Sequence, residues 1–232
     1  MAPTSQNKEA EVALESGSIY GSYGLERKSN KRSYLMMKRA MDIILAFIGL
    51  VVISPAFIVV AIMIKLEDPK GSVFFQQVRV GKHEKTFKMF KFRSMVSNAE
   101  ELLTNLLEQN EISGAMFKMK DDPRITRIGK FIRKTSIDEL PQLWNVIRGD
   151  MSLVGPRPAL PREVEEYTNY DKLRLRVIPG CTGLWQVGGR NDLSFHEMVQ
   201  LDLLYIKQRS ILFDIKIILK TVKVLLGSKD AF

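Results

Sequence analysis

Two adjacent carboxylates, Asp138 and Glu139, stand in the stretch RKTSIDELPQLWNVIRGDMSLVGPRP, and no other pair in the chain is better suited to chemistry. Asp138 is a good helix N-cap, and Pro141 then falls at the third helical position, where its missing N–H costs nothing. Both carboxylates would lie at the positive end of a helix, a place that favours ionised acids and also binds phosphate. Neighbouring carboxylates repel each other unless a cation sits between them, and hard oxygen ligands suit Mg²⁺ bridged to a phosphate. An ionised aspartate can attack phosphorus and form an acyl-phosphate. Simple helix capping accounts for the same two residues, and at this level both readings stand.

The segment GPRP supplies the matching positive charge. Arg157 lies between Pro156 and Pro158, whose fixed φ angles stiffen the backbone that carries it. A rigid guanidinium suits bidentate recognition of phosphate, although a structural salt bridge would use it equally well. In QVGGRN, which begins at Gln186, Gly189 and Arg190 repeat the theme of close backbone approach beside an arginine. Arg133, Lys91 and Arg93 add further positive charge; each alone would pass for a solvated surface residue.

Composition narrows the classes of function. One cysteine, Cys181, excludes an internal disulfide and a cysteine metal cage. Two histidines, His83 and His196, argue against a His-rich metal site or a Ser-His-Asp hydrolase. The net charge of +9 attracts polyanions, but no zinc-finger, homeodomain or RRM signature is present, so nucleic acid is not the expected partner. The run from Ile43 to Ile64 carries no charge and argues against a plain soluble protein. As one straight helix it would span roughly 33 Å, about a hydrocarbon core. Ser54-Pro55 sits at its centre, where proline removes a backbone donor and predicts a kink. A kinked span and a broken helix that enters one leaflet and returns both fit. Both flanks are basic and read as cytoplasmic, with Arg27, Lys28, Lys31, Arg32, Lys38 and Arg39 before the run and Lys65, Lys70, Arg79 and Lys82 after it. That favours the re-entrant form, over residues 35–66.

Residues 1–34 read as a disordered tail, and residues 67–232 as the body that positions the site. Residues 73–95 predict a β-hairpin turning at Gly81–Lys85. Ser97 and Glu100 predict a capping box opening a helix through about Gln109. Short helices are expected over 125–134, after Asp138 and over 162–176, and a long one over 195–226. In the last, Lys216, Lys220 and Lys223 share one face, while Ile215, Ile218, Leu219, Val222 and Leu225 cover the other. That pattern fits a membrane-surface helix and equally a core helix with a solvated lysine face. The fold class expected is mixed α/β, mostly helical, with a small hairpin, amphipathic interfacial helices and no large sheet.

The ordered segments KFRSM, RKTSIDELPQLWNV, MSLVGPRP, PGCTGLWQVGGRN and LDLLYI resemble the bacterial sugar transferase family, the monotopic polyprenyl-phosphate phosphoglycosyl transferases, over about residues 35–226. The resemblance implies that Ser54-Pro55 is the break of a re-entrant membrane helix. It implies that Asp138 is a covalent nucleophile and that Glu139, with Asp138, holds Mg²⁺. It places Arg157, with Pro156 and Pro158, and also Arg133, Arg190, Lys91, Arg93 and Gln186, at the substrate. Gly188-Gly189-Arg190 departs from the family's usual Asn-Gly-Arg, and Leu184 also departs, which touches the sugar or nucleotide contact and not the nucleophile. The implied reaction moves a sugar-1-phosphate from a UDP-sugar, galactose or glucose first, to undecaprenyl phosphate, with release of UMP. It would open exopolysaccharide, capsule or lipopolysaccharide assembly at the bacterial inner membrane, beside anionic lipids and with a homodimer allowed. A Mg-dependent membrane phosphohydrolase and a non-catalytic anionic-lipid binder are the alternatives.

Overall fold

A long uncharged run must satisfy its own backbone, and Lys31–Glu67 does so as one helix, α1. The computed structural model describes residues 31–104, 119, 122–188 and 193–227. The helix begins at Lys31 rather than residue 35, and it continues through Pro55, so the predicted helix-break-helix is not seen. The reason is local. Proline at 55 cannot donate to the carbonyl of Val51, one turn back, and the Ser54 hydroxyl donates to that carbonyl instead, at 2.8 Å. Ser-Pro here repairs its own defect.

The two halves of α1 lie along the same body. Before Pro55, Arg39 donates to the carbonyls of Val146 and Ile147, and Asp42 accepts from the Ser152 hydroxyl and the Leu153 amide. After it, Val60 and Ile64 pack with Phe92, Ile128 and Ile132, and Phe57 meets Phe92 edge-on at 4.9 Å. The last residue, Glu67, accepts from the Arg127 and Ile128 amides and so caps the start of a later helix, Arg127–Lys134. The opposite face, including Ile44, Phe47, Val52, Ile58 and Ile62, is exposed and uncharged, with Ser54 as its polar residue.

Two strands follow as expected. β1 (Phe74–Val80) pairs antiparallel with β2 (Thr86–Phe92), Phe74 opposite Phe92 and Val80 opposite Thr86. The pleat turns Phe74 and Phe92 toward α1, and gives Gln77, Arg79, Met89 and Lys91 the other face. α2 (Ala99–Thr104) begins two residues beyond Ser97, whose amide is taken by Asp68; the rest of that expected helix, with the remainder of the tail, lies outside the described residues. α3 (Arg127–Lys134) matches its expected range, with Thr126 as N-cap. α4 (Gln142–Arg148) ends on Gly149 at φ 92, the left-handed stop that glycine permits.

Two expectations fail for a shared reason, a side chain that caps its own turn and restarts the chain. The helix foreseen over 162–176 is α5 (Pro161–Glu165) and a separate 3-10 segment, Asp171–Arg176. Asp171 accepts from both the amide and hydroxyl of Thr168, which closes the intervening turn. The long final helix is α7 (Phe195–Gln208) and α8 (Ile211–Gly227), divided at Arg209-Ser210, where Ser210 accepts from the Phe213 amide. On α8 the core side is Asp214 and Ile217, while Leu212, Ile215, Leu219 and Val222 are exposed beside the three lysines. The apolar face read from the sequence is thus largely outward, which fits the membrane-surface reading better than the core one.

A second, very short sheet has no counterpart in the sequence reading. β3 (Ser152–Val154) pairs in parallel with β4 (Gly180–Thr182), which α6 (Leu184–Gly188) follows. The Gly155 amide donates to Thr182, and the Gly180 amide donates to Pro156. A Cβ at Gly180 would fall 2.1 Å from the Gly155 nitrogen, so these loops touch only because both residues are glycine. The architecture is mostly helical mixed α/β, with two small two-stranded sheets among the described residues.

Candidate active site

The carboxylates are set by a tight reversal after α3. Ser136 adopts a left-handed conformation at φ 55, and Ile137–Glu139 forms a single 3-10 turn. Asp138 is therefore not the N-cap of α4; Pro141 occupies that position. The expected consequence also reverses. Asp138 is only 7% exposed, and burial, partly offset by the positive charge of Lys91 and added to by Glu139, pushes its carboxyl up to about 6. Its burial outweighs any help from a helix end.

Glu139 behaves oppositely. Its own burial works against ionisation, but Lys91 lies 2.6 Å away, and Arg157 and Arg79 add positive charge, so its carboxyl is held below the usual range. Two neighbouring acids are thereby driven apart, one firmly ionised and one poised near neutrality. Lys91 reaches Glu139 because β2 is pinned to α4. The fully buried Asn145 accepts from the Phe90 amide at 2.9 Å and donates to the Lys88 carbonyl at 2.8 Å, locking the strand beside the dyad.

A polar cleft opens beside Glu139. Arg79, Met89, Lys91, Gln142, Arg157 and Gln186 are among the residues lining it, with Pro158, Gly180 and Cys181. Arg157 projects from the loop laid over β4, and Pro156 and Pro158 are both buried, their carbonyls accepting from the Gly180 amide and from Arg79. Gln186 donates to the Cys181 carbonyl at the other rim. Asp138, the residue before Glu139, is buried and is not among the residues lining the cleft. Arg133, in the last turn of α3, is near enough for its charge to favour the ionised forms of Asp138 and Asp122.

The structure thus brings together Glu139, Lys91, Arg157, Pro158 and Gln186, with Asp138 and Pro156 adjoining. Arg93 is not among them. It is buried against Gly71 and bonded to Asp68, both to the carboxylate and to the backbone carbonyl, so it ties the end of α1 to the hairpin instead of facing the cleft. Arg190 lies outside the described residues. Ser54 and Pro55 sit within α1, away from the cleft. Sequence reasoning missed Arg79, Met89, Gln142 and Cys181. Arg79 alternates with Val78 and Val80 and so reads as a solvated strand residue; the covering loop at Pro158 is what buries it. Gln142 could have been found, since it follows Glu139 by three residues on one turn.

Among the described residues no three His, Cys, Asp or Glu side chains converge to hold a metal ion. Mg²⁺ does not require them, because it is ordinarily held by one or two carboxylates together with substrate phosphates and water. Asp138 and Glu139 fit that donor set. Asp138 is buried with no ion-pair partner among the described residues, its charge partly offset at a distance by Lys91 and Arg133.

Residues 33–228 match the family model described as bacterial sugar transferase. Galactosyl transferase CpsE of Streptococcus agalactiae serotype III is 50% identical over 200 residues, covering 86% of this chain and 44% of that protein. The undecaprenyl-phosphate galactose phosphotransferase of Salmonella typhimurium is 45% identical over 206 residues, covering 87% of this chain and 43% of that protein. The exopolysaccharide production protein ExoY of Sinorhizobium fredii is 40% identical over 199 residues, covering 84% and 88%. This chain spans less than half the length of the first two.

Proposed function

This chain belongs to the bacterial sugar transferase family, and from that premise we propose that it moves a sugar-1-phosphate from a UDP-sugar to undecaprenyl phosphate through a covalent intermediate on Asp138. The observation that carries the reading is the cleft itself, where Lys91 and Arg157 line the wall with Glu139, next in the chain to a buried aspartate that has no ion-pair partner among the described residues.

An Oδ of Asp138 attacks the β-phosphorus of the donor. The bond from that phosphorus to the bridging oxygen breaks, and UMP leaves with the electron pair. An oxygen of the lipid phosphate then attacks the same phosphorus, the Asp138–phosphorus bond breaks, and the carboxylate is restored. With its carboxyl near 6, Asp138 is about nine-tenths ionised at pH 7, while being more basic than an ordinary aspartate. Lys91 holds Glu139 ionised and away from Asp138. Arg157, on its proline-stiffened loop, orients the diphosphate. When bound at Asp138 and Glu139, Mg²⁺ would neutralise phosphate charge.

Both substrates are anions, one soluble and one in the bilayer, so the site belongs at a membrane face. α1 is long and apolar enough to cross a membrane. Its packing favours another placement. Asp42 and Glu67 both bond to the same body, which would have to enter the hydrocarbon if α1 spanned it. A helix lying along one side, its bare face in a single leaflet of the inner membrane and the body in the cytoplasm, satisfies both contacts. The exposed apolar stripe of α8 with Lys216, Lys220 and Lys223 suits the same surface. UDP-galactose is the first donor to test, with exopolysaccharide assembly as the setting.

UMP release, measured with a panel of UDP-sugars with and without undecaprenyl phosphate, tests the reading. We expect one equivalent of UMP per enzyme without acceptor and steady turnover with it. Continuous release without acceptor would mark a phosphohydrolase and contradict the transferase.

A further inference from the structure

Arg79 is buried at 5% exposure, yet among the described residues it makes no ion pair. Buried arginines ordinarily have carboxylate partners, because an uncompensated charge is costly to remove from water. Its acceptors are all neutral. Nε and Nη2 donate to the Gln77 side-chain oxygen at 3.1 and 2.6 Å, and Nη1 donates to the Pro158 carbonyl at 2.9 Å. A guanidinium has five N–H groups, so one on each terminal nitrogen is uncommitted. The group is thus held in a fixed plane without being neutralised.

Its setting makes the omission pointed. Arg79, Arg157 and Lys91 line one cleft, and Glu139 is the only carboxylate lining it with them. The excess positive charge has no counterpart in the wall. Burial and the nearby charge of Arg157 push the Arg79 guanidinium down to about 10 against the opposing charges of Glu163 and Glu139, neither of which is bonded to it, and it stays protonated at neutral pH. The two arginines are also mechanically coupled. The Val80 amide donates to the Ala159 carbonyl at 2.8 Å, so β1 is laced to the Pro-Arg-Pro loop immediately beside the Arg79–Pro158 bond.

We propose that Arg79 is a phosphate-binding residue, sharing one diphosphate group with Arg157 across this cleft. The neutral brace is what permits it: a carboxylate partner would have to be displaced by the incoming anion, whereas Gln77 and Pro158 need not move. The identity of the anion, the diphosphate of a nucleotide-sugar, rests on the function proposed above; the anion site itself does not.

The test uses the full chain in nanodiscs and inorganic pyrophosphate as the probe, with uridine diphosphate as competitor. Arg79→Gln should weaken pyrophosphate binding by at least about tenfold, as expected for losing a charge-assisted fork. Arg79→Lys, which keeps charge and loses the planar fork, should weaken it by about threefold or more. Lys207→Gln, an equal charge change on the exposed end of α7, should leave it unchanged. Wild-type affinity in Arg79→Gln, or no pyrophosphate binding by the wild-type chain, overturns the proposal. If Arg79→Gln does not fold, wild-type affinity in Arg79→Lys overturns it instead. Pyrophosphate binding that depends on Arg79 but is not displaced by uridine diphosphate upholds the anion site and overturns the nucleotide-sugar reading.

Discussion

Replacing Asp138 with asparagine should strengthen the fold at neutral pH while it stops turnover. In the unfolded chain the carboxyl titrates near its ordinary 3.8, and in the folded chain near 6, because it is buried. Below the lower value both states are protonated, and aspartate and asparagine are nearly equivalent. Between the two values the unfolded state ionises and the folded state does not, so the folded state loses ground by about 1.4 kcal/mol per pH unit. Above 6 the penalty is complete and level. A shift of about two units then costs about 3 kcal/mol, and Asp138→Asn removes it. Chemical denaturation of both proteins in detergent, at pH steps from 4 to 8, reads the difference directly. The gain should be near zero at pH 4, grow through pH 5 and 6, and flatten above. A gain independent of pH, or a variant less stable than wild type at pH 8, would refute the argument that burial sets this carboxyl.

The same carboxyl governs the rate. kcat/KM should fall about tenfold per pH unit below an apparent value near 6, and Lys91→Met should move that limb to higher pH, because Lys91 favours the ionised form; a limb unmoved by Lys91→Met would exclude Lys91 as its counter-charge. Asn145→Ala should destabilise the fold by about 2–4 kcal/mol, since it strips hydrogen bonds from two backbone groups of β2, with the midpoint of urea unfolding as the readout. Cysteines placed at Met37 and at Lys70 should both react with a membrane-impermeant thiol reagent in inverted vesicles and neither in intact spheroplasts. Opposite labelling of the two would mean that α1 crosses the bilayer.

Local rules made part of this molecule readable. The hairpin followed from β-formers on either side of Gly81–Lys85, and α3 fell within the short helix expected over 125–134. The adjacency of Asp138 and Glu139 and the stiff Pro156–Pro158 loop marked two parts of the site before their meeting could be seen. Non-local contacts hid the rest. β3 and β4 are three residues each and far apart in sequence, and only the absence of side chains at Gly155 and Gly180 lets them join. Arg79 obeys strand alternation and is still buried, because a loop some eighty residues later covers it. Asp138 was expected to gain from a helix end, but Ser136 turned the chain so that Pro141 took that place and burial decided the carboxyl instead. Pro55 predicted a break, and the hydroxyl of its own neighbour satisfied the freed carbonyl. Arg93 offered a charge next to the cleft strand, and Asp68 claimed it.

The central claim is that Asp138 carries the phospho-sugar. Wild-type enzyme quenched in acid after mixing with radiolabelled UDP-galactose and no lipid acceptor should retain label on one peptide, with the added mass at residue 138, and should lose it when undecaprenyl phosphate is supplied before the quench. Label at another residue, or turnover without any labelled protein, would contradict it.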